Sequence, residues 1–395
     1  MGIKNIDLMK KVDLIFSKSV YGQAGDRSFV RCMGEQKQLF AQYGVDLRII
    51  TPDIYKYSDG TLRPVKATWK HSVAMFLTKN SALATRLFIY YKNDRRAKSM
   101  LKYYDSMPDK GEVVAFQDMM DCLEFLKNYN HHDQKVLLTL HSNGDFWSMW
   151  YYTLPKLRNW TMKRYRSKIE KTLLDGVDKF GFVADLPRRR FCSEYNWDEN
   201  KSFFVYNGIE SRDFTPRPIP DKVKLICVGT LNSRKNQIGI LNAIGYLADE
   251  QQKKIEFVLV GGGPDRTLLE EKAISLKCKV TFTGTTHEVD KYLNQANLFC
   301  LFSKAEGLPI SIVEAMRAGL PVIGSKVAGI PEQIIDGKSG YVVELDEHTL
   351  AEKLHYIINH KEQLPQMGEE SYKLFEKQFT IEAMVEKYSL VYKDV

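Results

Sequence analysis

The chain has 395 residues, 44% apolar and 27% charged, a soluble globular composition with length for two domains of roughly 200 residues each. Its net charge of +8 is uneven, because residues 1–220 hold 36 Lys+Arg against 25 Asp+Glu; the basic half suits an anionic acceptor, a membrane surface or nucleic acid, and equally a plain solvated basic surface. No apolar stretch approaches the ~20 residues that span a bilayer, and six scattered cysteines with no C-x-x-C pair read as buried thiols rather than a disulfide framework or a zinc site.

In chain order, apolar runs predict strands at Val12–Phe16, Val45–Ile50, Val113–Phe116, Val136–Leu140, Phe180–Ala184 and Phe203–Val205. A basic, aromatic stretch from Lys66 to Lys102 predicts one or two further helices. Pro216, Pro218 and Pro220 mark a linker. Beyond it, strands are expected at Val223–Val228, Ile255–Val260, Val280–Phe282, Leu298–Leu301, Pro321–Gly324 and Tyr341–Val343. Helical patterns alternate with them, starting near Gln237, around Leu268–Ala273, near Val289–Gln295, after Pro309 and at Pro331–Asp336. A last helix is expected from Ile381 to Val391. Strands apolar on both faces and alternating with helices mean parallel sheets covered on both sides. The fold class is therefore α/β, with two αβα domains and a cleft between the carboxyl ends of their sheets, where ligands bind. The expected boundaries are 1–212, 213–378 and a C-terminal helix 379–395 that packs back on the first domain.

The segment from Glu306 to Glu314, Glu-Gly-Leu-Pro-Ile-Ser-Ile-Val-Glu, is the most informative. Gly307-Leu308-Pro309 reads as a turn entering a helix, with Pro309 near its first position, where the missing N–H is harmless. A helix N-terminus beside a glycine suits an anion, and carboxylates at either end suit sugar hydroxyls. That fits a nucleotide-sugar; it also fits an ordinary helix start with a solvated Glu.

Other motifs fail. Gly261-Gly262-Gly263 follows a strand, but Arg266 stands where the third glycine of a dinucleotide fingerprint belongs. Gly337-Lys338-Ser339 lacks the leading P-loop glycine, since position 332 is Glu. No D-x-D or H-E-x-x-H occurs, and His131-His132 reads as a solvated loop pair. No cofactor, metal or nucleic-acid partner is expected.

An ordered series remains: Tyr21-Gly22-Gln23-Ala24-Gly25, Leu140-His141-Ser142-Asn143, Val205-Tyr206-Asn207-Gly208, Val228-Gly229-Thr230 with Arg234-Lys235-Asn236, Gly261–Pro264, Gly284-Thr285, the Glu306–Glu314 segment, Ala318–Val322 and Gly329–Glu332. This series resembles the retaining, two-domain (GT-B type) glycosyltransferases of family 4, strongly in the second half and at scattered points in the first. The resemblance implies two Rossmann-like domains facing each other across a cleft, the first taking a glycan or glycolipid acceptor and the second a UDP- or GDP-sugar. It implies that Lys235 and Arg234 face the donor diphosphate, Glu306 the donor sugar's hydroxyls and Glu314 the ribose. It further places His141 near the donor sugar, Gly22 and Gly25 over the phosphates, Gly284 and Thr285 along the base, and Gly307, Leu308 and Pro309 at the phosphate-facing turn. Two departures stand out. Thr230 replaces a common arginine, leaving Arg234 to compensate, and the first loop lacks the usual Gly-Gly-Ala-Glu. The expected activity is metal-independent, retaining hexosyl transfer in polysaccharide or glycoconjugate biosynthesis, with domain closure excluding water. The expected location is cytoplasmic, peripheral on an anionic membrane where basic residues and tryptophans of the first half meet lipid. A sugar-nucleotide epimerase of the same architecture and an inactive binding protein are the alternatives.

Overall fold

The computed structural model describes residues 9–20, 25–52, 69–91, 95–129 and 133–395. Gly22, Lys66 and the pair His131–His132 lie outside these residues. The described chain divides into two compact units, one of residues 1–205 with 385–395 and one of residues 206–384.

The first unit is built on β1 (Lys10–Ile15), β2 (Val45–Ile50), β3 (Val113–Phe116), β4 (Lys135–Leu140), β5 (Lys179–Phe182) and β6 (Ser202–Phe204), all parallel in the order β2-β1-β3-β4-β5-β6. Buried positions run nearly unbroken through β3 and β4 because both sheet faces are covered. One layer is aromatic: Phe180, Phe182 and Phe191 are sealed from solvent, with Phe146 edge-on to Phe191 at 5.3 Å between centroids. Asp13 in the middle of β1 is the polar exception. It is fully buried and accepts from Arg48 (2.7 and 2.9 Å), the Tyr104 hydroxyl (2.8 Å) and the Gly111 amide (2.6 Å). The basic stretch forms three helices, Trp69–Asn80, Ala82–Ile89 and Arg95–Asp105, where the sequence indicated one or two. Ser81 separates the first pair: it is extended and its hydroxyl caps the next helix at the Ala84 amide.

The second unit holds β7 (Val223–Val228), β8 (Ile255–Val260), β9 (Lys279–Gly284), β10 (Leu298–Leu301), β11 (Val322–Ser325) and β12 (Gly340–Val343), parallel in the order β12-β11-β10-β7-β8-β9. Read from β9, this is the dinucleotide-fold order 3-2-1-4-5-6, whose strand sequence reverses between β7 and β10. Ligands of such sheets bind at that reversal, outside the carboxyl ends of the two strands. The segment 206–209 pairs with the return of the chain: the Ile209 amide donates to Phe379 and its carbonyl accepts from Ile381. The expected boundary at 212/213 therefore falls inside the second unit, and residues from Val385 onward belong to the first.

Candidate active site

The turn after β7 and the turn after β10 meet at the strand-order reversal. After β7, the Lys235 amide donates to the Asn232 side chain at 2.9 Å, and the Gln237 side chain donates to the Thr230 carbonyl at 3.0 Å. Asn236 then takes a left-handed conformation, φ 54°, before the helix Gln237–Gly245. This tight turn projects two consecutive cations toward β10. From the β10 side, the Lys304 amide donates to the Arg234 carbonyl at 2.8 Å, and Arg234 returns a bond to the Ala305 carbonyl at 2.7 Å.

The buried carboxylate of Glu306 lies between the cations. Lys235 Nζ is 2.8 Å from Glu306 Oε1, and Arg234 Nη1 is 2.9 Å from Oε2. Burial alone pushes this carboxyl up; Lys235 and then Arg234 outweigh it and hold the group below the usual carboxylate range. The cluster thus carries two cations and one ionised carboxylate, a net positive charge in a largely desolvated setting. Its electrostatic reach is far larger than on an exposed surface.

Glycines make room for this packing. Gly261 at the end of β8 has φ 142°, and a Cβ there would stand 2.1 Å from the Gly229 carbonyl oxygen. A Cβ on Gly263 would stand 2.1 Å from the Leu231 carbonyl oxygen. The Gly261–Gly263 run therefore lets the β7 turn lie directly against the β8 turn. Gly284 ends β9 with φ 73°; its carbonyl accepts from the Gly261 amide at 3.0 Å, and Thr285 beside it is exposed.

Beyond Glu306, the Gly307 carbonyl accepts from the Gly329 amide at 2.9 Å, Leu308 is buried, and Pro309 is the N-cap of the helix Ile310–Arg317. Gln333 donates to the Pro309 carbonyl at 3.1 Å, so the turn is held from behind by the Ile330–Gln333 turn. Glu314 follows on the second turn of the helix. Burial pushes its carboxyl up to about 7; Arg317 opposes the rise and Asp290 adds to it. Asp290 itself is clamped by Arg212 at 2.6 Å and Arg317 at 2.7 Å. Thr230 is exposed and offers no charge, which leaves Arg234 as the second cation beside Lys235. Glu332, inside the Ile330–Gln333 turn, accepts from the Tyr206 hydroxyl at 2.8 Å.

Lys235, Arg234 and Glu306 are thus in direct contact, and Glu314 shares the Glu306 turn and its helix. His141 and Gly25 belong to the first unit. His141 follows β4 and bonds Gln117, the residue after β3, at 2.8 Å, with its ring edge-on to Phe29. Gly25 opens the helix Gly25–Glu35. Sequence reasoning missed Asp290 and Arg212, whose pairing depends on tertiary approach and leaves no motif.

Residues 210–374 match the model of the family described as glycosyl transferases group 1. The chain is similar to N-acetyl-alpha-D-glucosaminyl L-malate synthase of Bacillus anthracis, 30% identical over 48% of this chain and 53% of that enzyme. It therefore spans about half the length of the curated relative it matches. HepE of Anabaena, solved with UDP, superposes with a TM-score of 0.68 at 12% identity, over 98% of this chain and all of that one. A lipopolysaccharide outer core galactosyltransferase in its apo form superposes at 0.66 and 14% identity, over 98% of this chain and all of that one. At these identities the two likenesses establish a shared two-unit α/β fold. Residues 210–374, which carry the Lys235–Glu306–Arg234 cluster, are thus similar to the glycosyl transferases group 1 family.

Proposed function

We propose that this protein is a retaining, metal-independent glycosyltransferase. It moves a hexose from a UDP- or GDP-sugar to a hydroxyl of a glycan or glycolipid. The observation that carries the reading is the ion-paired triad of Lys235, Arg234 and the buried Glu306 at the strand-order reversal of the second sheet. Breaking the bond between the anomeric carbon and phosphate loads negative charge on the leaving diphosphate. Two preorganised cations stabilise that charge, at roughly 3–4 kcal/mol for a well-placed contact. In the free protein Glu306 occupies both cations; as the diphosphate takes them over, the carboxylate turns to sugar hydroxyls. Glu314, on the helix that follows, receives the ribose hydroxyls. The leaving phosphate takes the acceptor proton on the same face of the sugar, so no separate base is required. The UDP bound to HepE supports a nucleotide-sugar donor. The second unit holds this donor and the first the acceptor.

The test is acceptor-dependent release of nucleoside diphosphate. Lys235→Ala lowers kcat/KM by about 100-fold or more; near wild-type turnover in that variant would refute the phosphate assignment. Epimerised sugar nucleotide formed without acceptor would replace transfer by epimerisation.

A further inference from the structure

The first unit carries an apolar face that its own core does not cover. Helix Trp69–Asn80 exposes Val73, Phe76 and Leu77, one stripe at helical spacing, with Phe76 67% exposed. Helix Ala82–Ile89 and the residue after it expose Leu83, Leu87 and Tyr90, again one stripe, with Leu83 67% exposed. The two helices pack against each other, and the turn Pro155–Arg158 packs against both before leading into Trp160, which is 83% exposed.

Beside Leu83, Leu87 and Tyr90 runs a groove of about 430 Å³. Its floor is the apolar trio Met120, Leu123 and Ile169, and its rim carries Arg86, Lys127 and Lys168. Lys127 is neutralised by Glu124 at 3.4 Å. Among the described residues Arg86 and Lys168 have no carboxylate partner; the Arg86 guanidinium lies over the Tyr165 ring at 5.5 Å. Lys79, Arg158, Lys163 and Arg164 add exposed positive charge on the same helices and turns. Large exposed apolar stripes ringed by uncompensated cations match a surface that is apolar within and anionic at its edge. No helix among the described residues is long and apolar enough to cross a membrane, so contact here would be from one side.

We propose that this face docks on an anionic lipid bilayer, with Phe76, Leu83, Leu87 and Trp160 entering the headgroup boundary. The groove receives part of a lipid tail while Arg86 and Lys168 meet lipid phosphates. The proposal is independent of the donor chemistry assigned above. Of the first half's tryptophans and basic residues, Trp160, Lys163 and Arg164 belong to this face, whereas Trp147 is buried and bonded to Glu170, and Arg188 is held by Asp185 and Glu199.

The test is cosedimentation of the full chain with vesicles of phosphatidylglycerol and phosphatidylcholine, compared with phosphatidylcholine alone. Two double variants are run beside it, Leu83→Ser with Leu87→Ser, and Arg86→Glu with Lys168→Glu. Thermal unfolding checks that both remain folded. A cation near such a surface is worth about fivefold in affinity, so the charge-reversed variant binds at least about tenfold more weakly. The serine variant loses binding as well, and salt weakens the wild type. Absence of binding to the anionic vesicles overturns the proposal, as does binding that both variants leave unchanged. A concentration-dependent dimer that the variants dissolve, without vesicle binding, makes the face an interface between copies and equally overturns it.

Discussion

Lys235 and Glu306 meet at 2.8 Å although 70 residues separate them, because β7 and β10 are neighbours in the sheet while β8 and β9 lie to the far side. The ion pair is therefore a product of sheet topology. Arg234 closes on the other carboxylate oxygen, and the three charges hold the two turns together.

Removing the carboxylate leaves the buried Lys235 and the half-buried Arg234 uncompensated. Glu306→Ala is expected to destabilise the protein by about 3–5 kcal/mol, with Lys235→Ala costing less because Arg234 still satisfies Glu306. The depressed carboxyl gives the pH signature. Its contribution is fully present above the usual unfolded carboxylate range and is lost as pH falls through the folded value. Urea unfolding across the acid range should show this limb in wild type and not in Glu306→Gln.

Glu314 has the opposite sign. Its folded carboxyl is pushed up to about 7 by burial. Between the unfolded range near 4.5 and that value, the folded state binds the proton more tightly, so stability falls as pH rises. The effect is at most about 3 kcal/mol. Glu314→Gln should therefore become more stable relative to wild type at pH 8 than at pH 5, by urea midpoints at constant slope. An equal difference at both pH values would contradict the burial account.

Gly261→Ala meets both a left-handed φ and the Gly229 carbonyl. A cost of about 1–3 kcal/mol is expected, together with weaker nucleotide binding, because relief requires the Gly229–Lys235 turn to move. Gly337→Ala, also at positive φ but with open space around its Cβ, should cost stability and leave nucleotide affinity intact.

Much of this was legible in the sequence. β2, β3, β7, β8 and β10 have the bounds expected from the sequence, and β3 and β10 are apolar and buried throughout, as parallel strands covered on both faces require. The Glu306–Glu314 turn and its helix were likewise written in Gly307, Pro309 and the spacing that follows. The helices Glu347–Asn359 and Leu364–Gln378 were not singled out, since their half-buried faces give a weaker signal than the strands. The pairing of Glu306 with both cations was also hidden, because it depends on strand order rather than local pattern. The same holds for Arg217, read only as part of a proline-rich linker.

Arg217 in fact caps two helix ends. Its guanidinium donates to the carbonyls of Leu293, Asn294, Ala296 and Ala318, next to the ends of Val289–Asn294 and Ile310–Arg317. Burial holds its pKa below the usual guanidinium value, and no carboxylate contributes. Arg217→Ala should cost about 3 kcal/mol or more, since it strands several carbonyls at once. Arg217→Lys should recover only part, because a single ammonium cannot span the four acceptors. Chemical denaturation of the three proteins measures both.

The most direct test of the account is calorimetric titration of UDP and GDP into wild type and Lys235→Ala. The account predicts that one nucleotide binds the wild type and that the variant binds it at least about tenfold more weakly. Equal affinity in the two proteins, or no nucleotide binding by the wild type, would contradict it.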